Sequence, residues 1–562
     1  MPGRRSTRAA VDACAVTAAD NDSCLPARRR LLALTCANGQ AEVVRLIICG
    51  ESNPIDDWRR LYRDRGPVDI RLSDEARTAV IRSSELTMRL LRSGEPIYGV
   101  NTGFGRLASR RIPEPDIERL QRNLVLSHTV GVGPPLRDAV VRLVLALKVA
   151  ALARGASGVR PVVVDTLIEM VNRGVLPVIP GQGSVGASGD LAPLAHLAAV
   201  LIGRGSAVFA GEVRPGAEAL RMAGIEPLVL GPKEGLALVN GTQVSTALAL
   251  AGLFETERVM ATALAVGAMS VEAALGSTAP FGHAVQALRP HPGQLRIASV
   301  LRQLLCSGDF REASRAGVRV QDPYCLRCLP QVLGACLDLV EHARTTLAIE
   351  AGSVTDNPVL LADTEEIVSA GNFHGEPVAF AADMLAIALS EIGAMSERRT
   401  AFLLDQSLSG LPAFLTGDSG VTSGFMSLQI TAAALASENK QRSHPASVDS
   451  IPTVGNQEDF VSMATHGARR LADMADNASA ILAIELLAAV EGMDHRPGMR
   501  SSDPLEEARR LVRSQVPSMA DDWEFSQAVT ASNALVRHGA VANAAGIRAE
   551  THLTTASGAD PR

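Results

Sequence analysis

Long Ala/Leu-rich runs with charges at helical spacing dominate the chain from about residue 155 to 548, most clearly over 244–275 and 477–492. That period marks helices that bury one face or most of their circumference. Aromatic residues make up only 3% of the chain while 47% is hydrophobic, so Ala, Leu and Val must fill the core. Such side chains suit close-packed helices, whereas strands favour aromatic and β-branched ones. The reading is a mainly α fold: a long-helix bundle core over 155–548, preceded by a smaller mixed domain over 43–154 with a short strand near 43–49. Residues 1–42, rich in Arg, Ala and Asp without helical periodicity, read as a disordered extension, and 549–562 as a small, polar, disordered tail. Long helices of this kind often assemble further, so an oligomer is expected.

Net charge is −6 and the basic residues are spread along the chain, which argues against nucleic acid or an anionic membrane as partner. No uninterrupted apolar run reaches bilayer-spanning length; the best, 138–154, contains Arg142 and Lys148. Arg28-Arg29-Arg30 before Leu31-Leu32-Ala33-Leu34 echoes a signal peptide, but the stretch is short and turns polar at Asn38-Gly39-Gln40. A soluble, cytoplasmic protein is expected. The only lysines are Lys148, Lys233 and Lys440, which weakens a pyridoxal-phosphate reading because that chemistry needs a Schiff-base lysine. The eight cysteines include one C-x-x-C, Cys325-Leu326-Arg327-Cys328. With no second Cys or His pair at zinc spacing, reduced buried thiols and no metal site are expected.

Gly181-Gln182-Gly183-Ser184-Val185-Gly186 matches G-x-G-x-x-G after the apolar run 175–180, a superficial dinucleotide-binding pattern. Pro177 and Pro180 make a poor central parallel strand. The following helix is predicted to start after the last glycine, with Asp190 as N-cap and Pro193 in its first turn. Its positive end would lie close to Ser188 and favour negative charge there.

Ala187-Ser188-Gly189 closes this glycine-rich stretch. Ala and Gly are small enough for the backbone to fold back on itself, Gly reaches conformations closed to other residues, and Ser carries a hydroxyl that can leave as water. Tyr98 opens Tyr-Gly-Val-Asn-Thr-Gly-Phe-Gly (98–105), and Tyr324 and Arg327 lie three apart in 321–328, on one face if that segment is helical. Further motifs are Leu120–His128, Asn240-Gly-Thr-Gln243, Gly371-Asn-Phe-His-Gly-Glu376, His444–Asp449 and Asn456-Gln-Glu-Asp459.

In their order along the chain, over roughly residues 48–515, the motifs resemble the aromatic amino acid ammonia-lyases, the family of histidine, phenylalanine and tyrosine ammonia-lyases. The resemblance implies that Ala187-Ser188-Gly189 cyclises to a methylidene-imidazolone, an electrophile built without an external cofactor. It further implies Asn240 as the residue contacting that group, and Phe373 as a ring packing near it. Tyr98 is implied as general base, with Tyr324 polarising or orienting. A phenol's ordinary pKa of about 10 must then be lowered or its proton passed on. Arg327 would clamp the substrate carboxylate, with Gln321 beside it among the substrate-binding residues. His128 and Glu458 would read an imidazole, and Glu458 points to histidine because phenylalanine and tyrosine lyases typically carry an amide there. A buried carboxylate facing a phenyl ring is costly. Phe460 departs from the family's histidine-lyase pattern, which usually has His at that place; Cys325 and Gly375 are lesser departures. The expected activity is elimination of ammonia from L-histidine to trans-urocanate in a homotetramer with shared active sites. The alternatives are an aminomutase, a tyrosine or phenylalanine lyase, and a catalytically inactive homologue.

Overall fold

The computed structural model describes residues 43–64, 66–315, 319–519, 521–548 and 554–555. The extension expected over 1–42 lies outside these residues, as does most of 549–562. Within the latter, Thr554–Thr555 pairs antiparallel with Ile547–Arg548, so a wholly unstructured tail is corrected there.

The Gln243–Ala273 helix is the axis of the molecule, buried around almost its whole circumference. Its sequence permits this because charges are few and hydroxyls bond within the helix: Thr256 and Thr262 donate to the carbonyls of Gly252 and Arg258, four residues back. The Asp138–Ala153, Leu329–Ala351, Glu376–Leu404 and Leu471–Asp494 helices pack around it. Gly252 allows the closest approach, for a Cβ there would lie 2.4 Å from Leu471 Cδ1. One buried charge pair ties two of these helices together: Arg399 makes a bidentate bridge to Glu485 at 2.5 and 2.8 Å, and Ser270 donates to the same carboxylate. Glu376–Leu404 is also long and apolar enough to cross a bilayer by length and composition, which qualifies the expectation that no such segment exists. Most of it is buried within the bundle, and Asp383, Glu397 and Arg399 on its inner side hold polar partners.

The sheets are small. Val44–Ile48 runs parallel to Val68–Leu72, and alternate residues of the first strand are buried. A single apolar cluster extends from Val44 to Ile547, so 43–154 shares its core with the long helices rather than closing one of its own. Leu176–Pro177 and Pro180–Gln182 pair antiparallel with Ala207–Val208 and with Val132–Pro135. The parallel strand a dinucleotide site needs is not formed at 175–180.

Candidate active site

Around Ala187-Ser188-Gly189 the chain folds back on itself. Gly186 and Gly189 face each other as an antiparallel bridge, and Ser188 and Gly189 both hold positive φ, 52° and 75°. A left-handed serine is uncommon and costs about 1–2 kcal/mol, so the surroundings must hold it. They do so through 241: Gly241 N–H donates to Ser188 O (3.3 Å), and Asp190 N–H donates to Gly241 O (2.7 Å). The approach is so close that a Cβ on Gly189 would lie 2.1 Å from Gly241 O. Ala187 and Gly189 are buried while Ser188 is partly accessible.

Two helix N-termini converge here. Leu191–Leu201 begins directly after the triplet and Gln243–Ala273 directly after Asn240-Gly241-Thr242. Asp190 occupies the N-cap position predicted for the first helix, but its side chain makes no cap bond there. It instead accepts from the backbone N–H of Ser245 (2.7 Å) and from the hydroxyls of Ser245 and Thr465 (3.0 and 2.6 Å), capping the other helix. The reason is geometric: the 2.7 Å backbone bond to Gly241 brings residue 190 beside that helix's first turn. Burial pushes the Asp190 carboxyl upward, against the lowering effect of these hydrogen bonds. Both helix ends present positive potential to the triplet.

Asn240 is buried, and its Nδ2 donates to Asp356 Oδ1 (3.1 Å) and Asn357 O (2.9 Å). Both neighbours are acceptors, which fixes the amide orientation and leaves Oδ1 buried without a hydrogen-bond partner. Lys148 donates to the Asn240 carbonyl (2.6 Å) and Gln243 Oε1 (3.2 Å), and Lys233 donates to Asp356 Oδ2 (2.7 Å). Burial is the largest single influence on Asp356 and raises it, but Lys233 and Lys148, together with hydrogen bonds from Lys233 and Ser157, outweigh it and hold the carboxyl below the usual range. Lys148, Lys233, Thr355 and Asp356 were not singled out as site residues by the sequence. Lys148 left a trace there, as a charge inside the apolar run 138–154. Both buried lysines are engaged in this network, and Lys440 is exposed.

Residues of the 456–464 segment pack directly against the glycine-rich stretch. Met463 N–H donates to Val185 O (2.9 Å), and Ser462 lies against Gly186. Gly375, at the end of the Phe373 loop, lies against Ser462, Ala464 and Thr242. Phe373 itself is half-buried. Glu458 is half-buried in a loop closed on itself, with Thr453 Oγ1 donating to its Oε2 (2.7 Å). Arg106 reaches from the Tyr98 loop to Gly455 O (3.1 Å), so the two loops clasp each other. Tyr98 is half-buried, its hydroxyl accepting from Gly105 N–H (3.1 Å), and Gln121 stitches this loop to residue 236 through Gly99 O and Leu236 N–H. His128 ends the Ile117–His128 helix, which packs on the helices flanking the triplet. Its Nδ1 lies 2.8 Å from Leu124 O, a contact only a donor satisfies, so the neutral ring offers Nε2 as acceptor. Phe460 is exposed and stacks on His374 at 6.1 Å.

Gln321, Tyr324 and Arg327 do not join this group within one chain. Tyr324–Arg327 is a helical turn, as the spacing suggested, and the guanidinium lies 4.7 Å over the tyrosine ring. Arg327 Nε donates to Asp322 O, and Asp322 accepts from Ser277 N–H just past the C-terminal end of the Gln243–Ala273 helix. Thirty-one residues at 1.5 Å each put about 45 Å between the two ends of that helix. The Leu329–Ala351 helix gives a second measure, since it starts beside Arg327 and its Glu350 accepts from Thr242 Oγ1 at the triplet end. Tyr324 is 70% exposed and Gln321 is exposed as well. Within one chain the two halves therefore stand some 30–45 Å apart. A cavity of about 1750 Å³ is lined by Tyr62, Arg137 and Arg258 among others and by none of the predicted site residues.

Among the described residues no cluster of His, Cys, Asp and Glu is placed to hold a metal. Cys325 and Cys336 are buried free thiols pushed upward by burial; Cys328 is partly accessible and Cys306 exposed, so not every described thiol is buried.

The family model for aromatic amino acid lyases matches residues 54–514. Histidine ammonia-lyase from Trypanosoma cruzi is similar at 39% identity and a TM-score of 0.83, over 89% of this chain and 95% of that one. Tyrosine aminomutase from Streptomyces globisporus is similar at 35% identity and 0.83, over 89% and 98%. Phenylalanine aminomutase from Pantoea agglomerans is similar at 33% identity and 0.83, over 88% and 99%.

Proposed function

Since the chain belongs to the aromatic amino acid lyase family, we propose that it is an ammonia-lyase converting L-histidine to trans-urocanate and ammonia. The observation that carries the reading is the folded-back Ala187-Ser188-Gly189, pinned to Gly241 where two helix N-termini meet. The surroundings fit a self-formed methylidene-imidazolone: Gly189 has no room for a side chain, Asn240 Oδ1 is buried without a partner, and Ser188 is reachable. Bond formation from Gly189 N to the Ala187 carbonyl carbon, with loss of two waters, supplies an electrophile for the substrate amine.

This chain's residues bind and orient around it. Tyr98, held by the clasped loops, takes the β-proton as its deprotonated phenolate. Glu458 accepts from an imidazole N–H, and His128 offers Nε2 as a second acceptor, a pair that suits an imidazole ring better than a phenyl. Arg327 grips the carboxylate bidentately and Tyr324 orients the amine end, with Gln321 beside them. Because these three stand far from Ser188 in one chain, they come from a second copy in a homotetramer with shared active sites. The exposure of Tyr324 and Gln321 supports this.

The aminomutases among the similar structures favour a second reading, in which ammonia returns to the β-carbon. The test is to incubate the protein separately with L-histidine, L-tyrosine and L-phenylalanine and identify every product. Urocanate from histidine alone supports the proposal. A β-amino acid would make it a mutase, and cinnamate or coumarate would overturn the role of Glu458.

A further inference from the structure

Lys148 is a cation in the apolar core of the Asp138–Ala153 helix, 2% exposed, and neither the proposed binding nor the proposed proton transfer uses it. Such burial is costly and needs strong partners. Its partners lead to the triplet. Lys148 Nζ donates to the Asn240 carbonyl (2.6 Å), and the N–H of that same peptide unit, on Gly241, donates to Ser188 O (3.3 Å). On cyclisation Ala187 loses its oxygen as water while Ser188 keeps its own, so Ser188 O becomes the ring oxygen conjugated with the methylidene carbon. Electron density moves toward this oxygen as a nucleophile approaches, and donors aimed at it favour attack. Hydrogen bonds in series polarise one another, most strongly where the dielectric is low.

We propose that Lys148 is a positioning residue that acts through the Asn240–Gly241 peptide to polarise the Ser188 carbonyl and so tune the electrophile. The inference rests on the reading of 187–189 as self-cyclised. The groups facing Lys148 are Asp356 and Lys233, joined through Asn240, and Asp190, with Glu350 behind Thr242. Burial pushes the Lys148 ammonium down to about 7, Asp356 and Asp190 opposing and Lys233 reinforcing. The polarising charge is therefore present below about pH 7 and lost above it.

The experiment compares wild type with Lys148→Met and Lys148→Gln by peptide mass, near-UV absorbance from pH 5.5 to 9, and steady-state kinetics. The expected result is a triplet two waters lighter in all three proteins. The wild-type absorbance titrates near pH 7 and the variants' does not. Turnover falls about 10- to 100-fold with KM little changed, less than the loss of a donor touching the oxygen directly. A cyclised variant with wild-type turnover and wild-type pH dependence overturns the inference. So does a folded variant that keeps both waters, which would place Lys148 in maturation. If neither variant folds, the wild-type titration alone decides: an absorbance flat across pH 7 refutes the relay. No water loss in wild type itself would instead refute the reading of the triplet.

Discussion

Tyr98 and Tyr324 lie at opposite ends of a 31-residue helix, and this separation predicts that two inactive variants will complement each other. Tyr98→Phe removes the base from the half-site beside Ser188, and Tyr324→Phe removes the phenol from the half-site beside Arg327. Each alone should lose about 10²- to 10⁴-fold in turnover, the usual worth of a positioned proton-transfer group. A gap of some 30–45 Å cannot be closed within one rigid bundle, so under the proposed function every working site draws its halves from different chains. In oligomers refolded from an equal mixture, each half-site is intact with probability one half. Roughly a quarter of the sites should then carry both tyrosines, if assembly is random over symmetric positions. The assay is urocanate formation by the co-refolded mixture, against each variant alone and against a mixture combined without unfolding. Recovery to about a quarter of wild-type turnover is expected, with little in the unrefolded mixture. Activity no higher than the sum of the separate variants, in oligomers shown by mass to be mixed, would refute the shared site.

Gly189→Ala should block water loss at the triplet, because its Cβ would fall 2.1 Å from Gly241 O at a φ of 75°; intact-peptide mass reads this directly. Arg399→Ala should cost about 3–5 kcal/mol by leaving Glu485 and its charge buried, seen as a lowered denaturation midpoint in a protein that still folds. Glu272 is pushed up to about 8, chiefly by burial and further by Glu506, against the lowering effects of Ser501 and Arg509. A raised folded-state pKa means the native protein keeps a proton the unfolded chain releases near 4.5, so this residue's stabilising contribution falls as pH rises from about 4.5 to about 8 and is fully lost above that. The linked loss amounts to about 4–5 kcal/mol. Glu272→Gln should flatten that loss; equal pH slopes for variant and wild type between pH 5 and 8 would contradict it.

The long elements were legible because helical period is a local signal. The run seen over 244–275 is the Gln243–Ala273 helix, that over 477–492 lies inside Leu471–Asp494, and the strand near 43–49 is Val44–Ile48. The triplet, Asn240 and the loops bearing Tyr98 and Glu458 could be named because their motifs are contiguous. What stayed hidden depends on which distant segments meet. Asp190 reads as the cap of its own helix, and only the 2.7 Å bond to Gly241 shows that it caps another. Lys148 lies 92 residues from the carbonyl it holds, and nothing in its own helix announces that partner. The distance from Tyr98 to Tyr324 likewise has no local signature, since both motifs look complete on their own.

The central claim is that Ala187-Ser188-Gly189 turns its own backbone into the electrophile. Its most direct test is the mass of the proteolytic fragment carrying these residues, from wild type and from Ser188→Ala, each native and unfolded before digestion. The account predicts a wild-type fragment lighter by two waters and a Ser188→Ala fragment at its full sequence mass with no turnover. A wild-type fragment at full mass in a protein that still releases ammonia from L-histidine would contradict it.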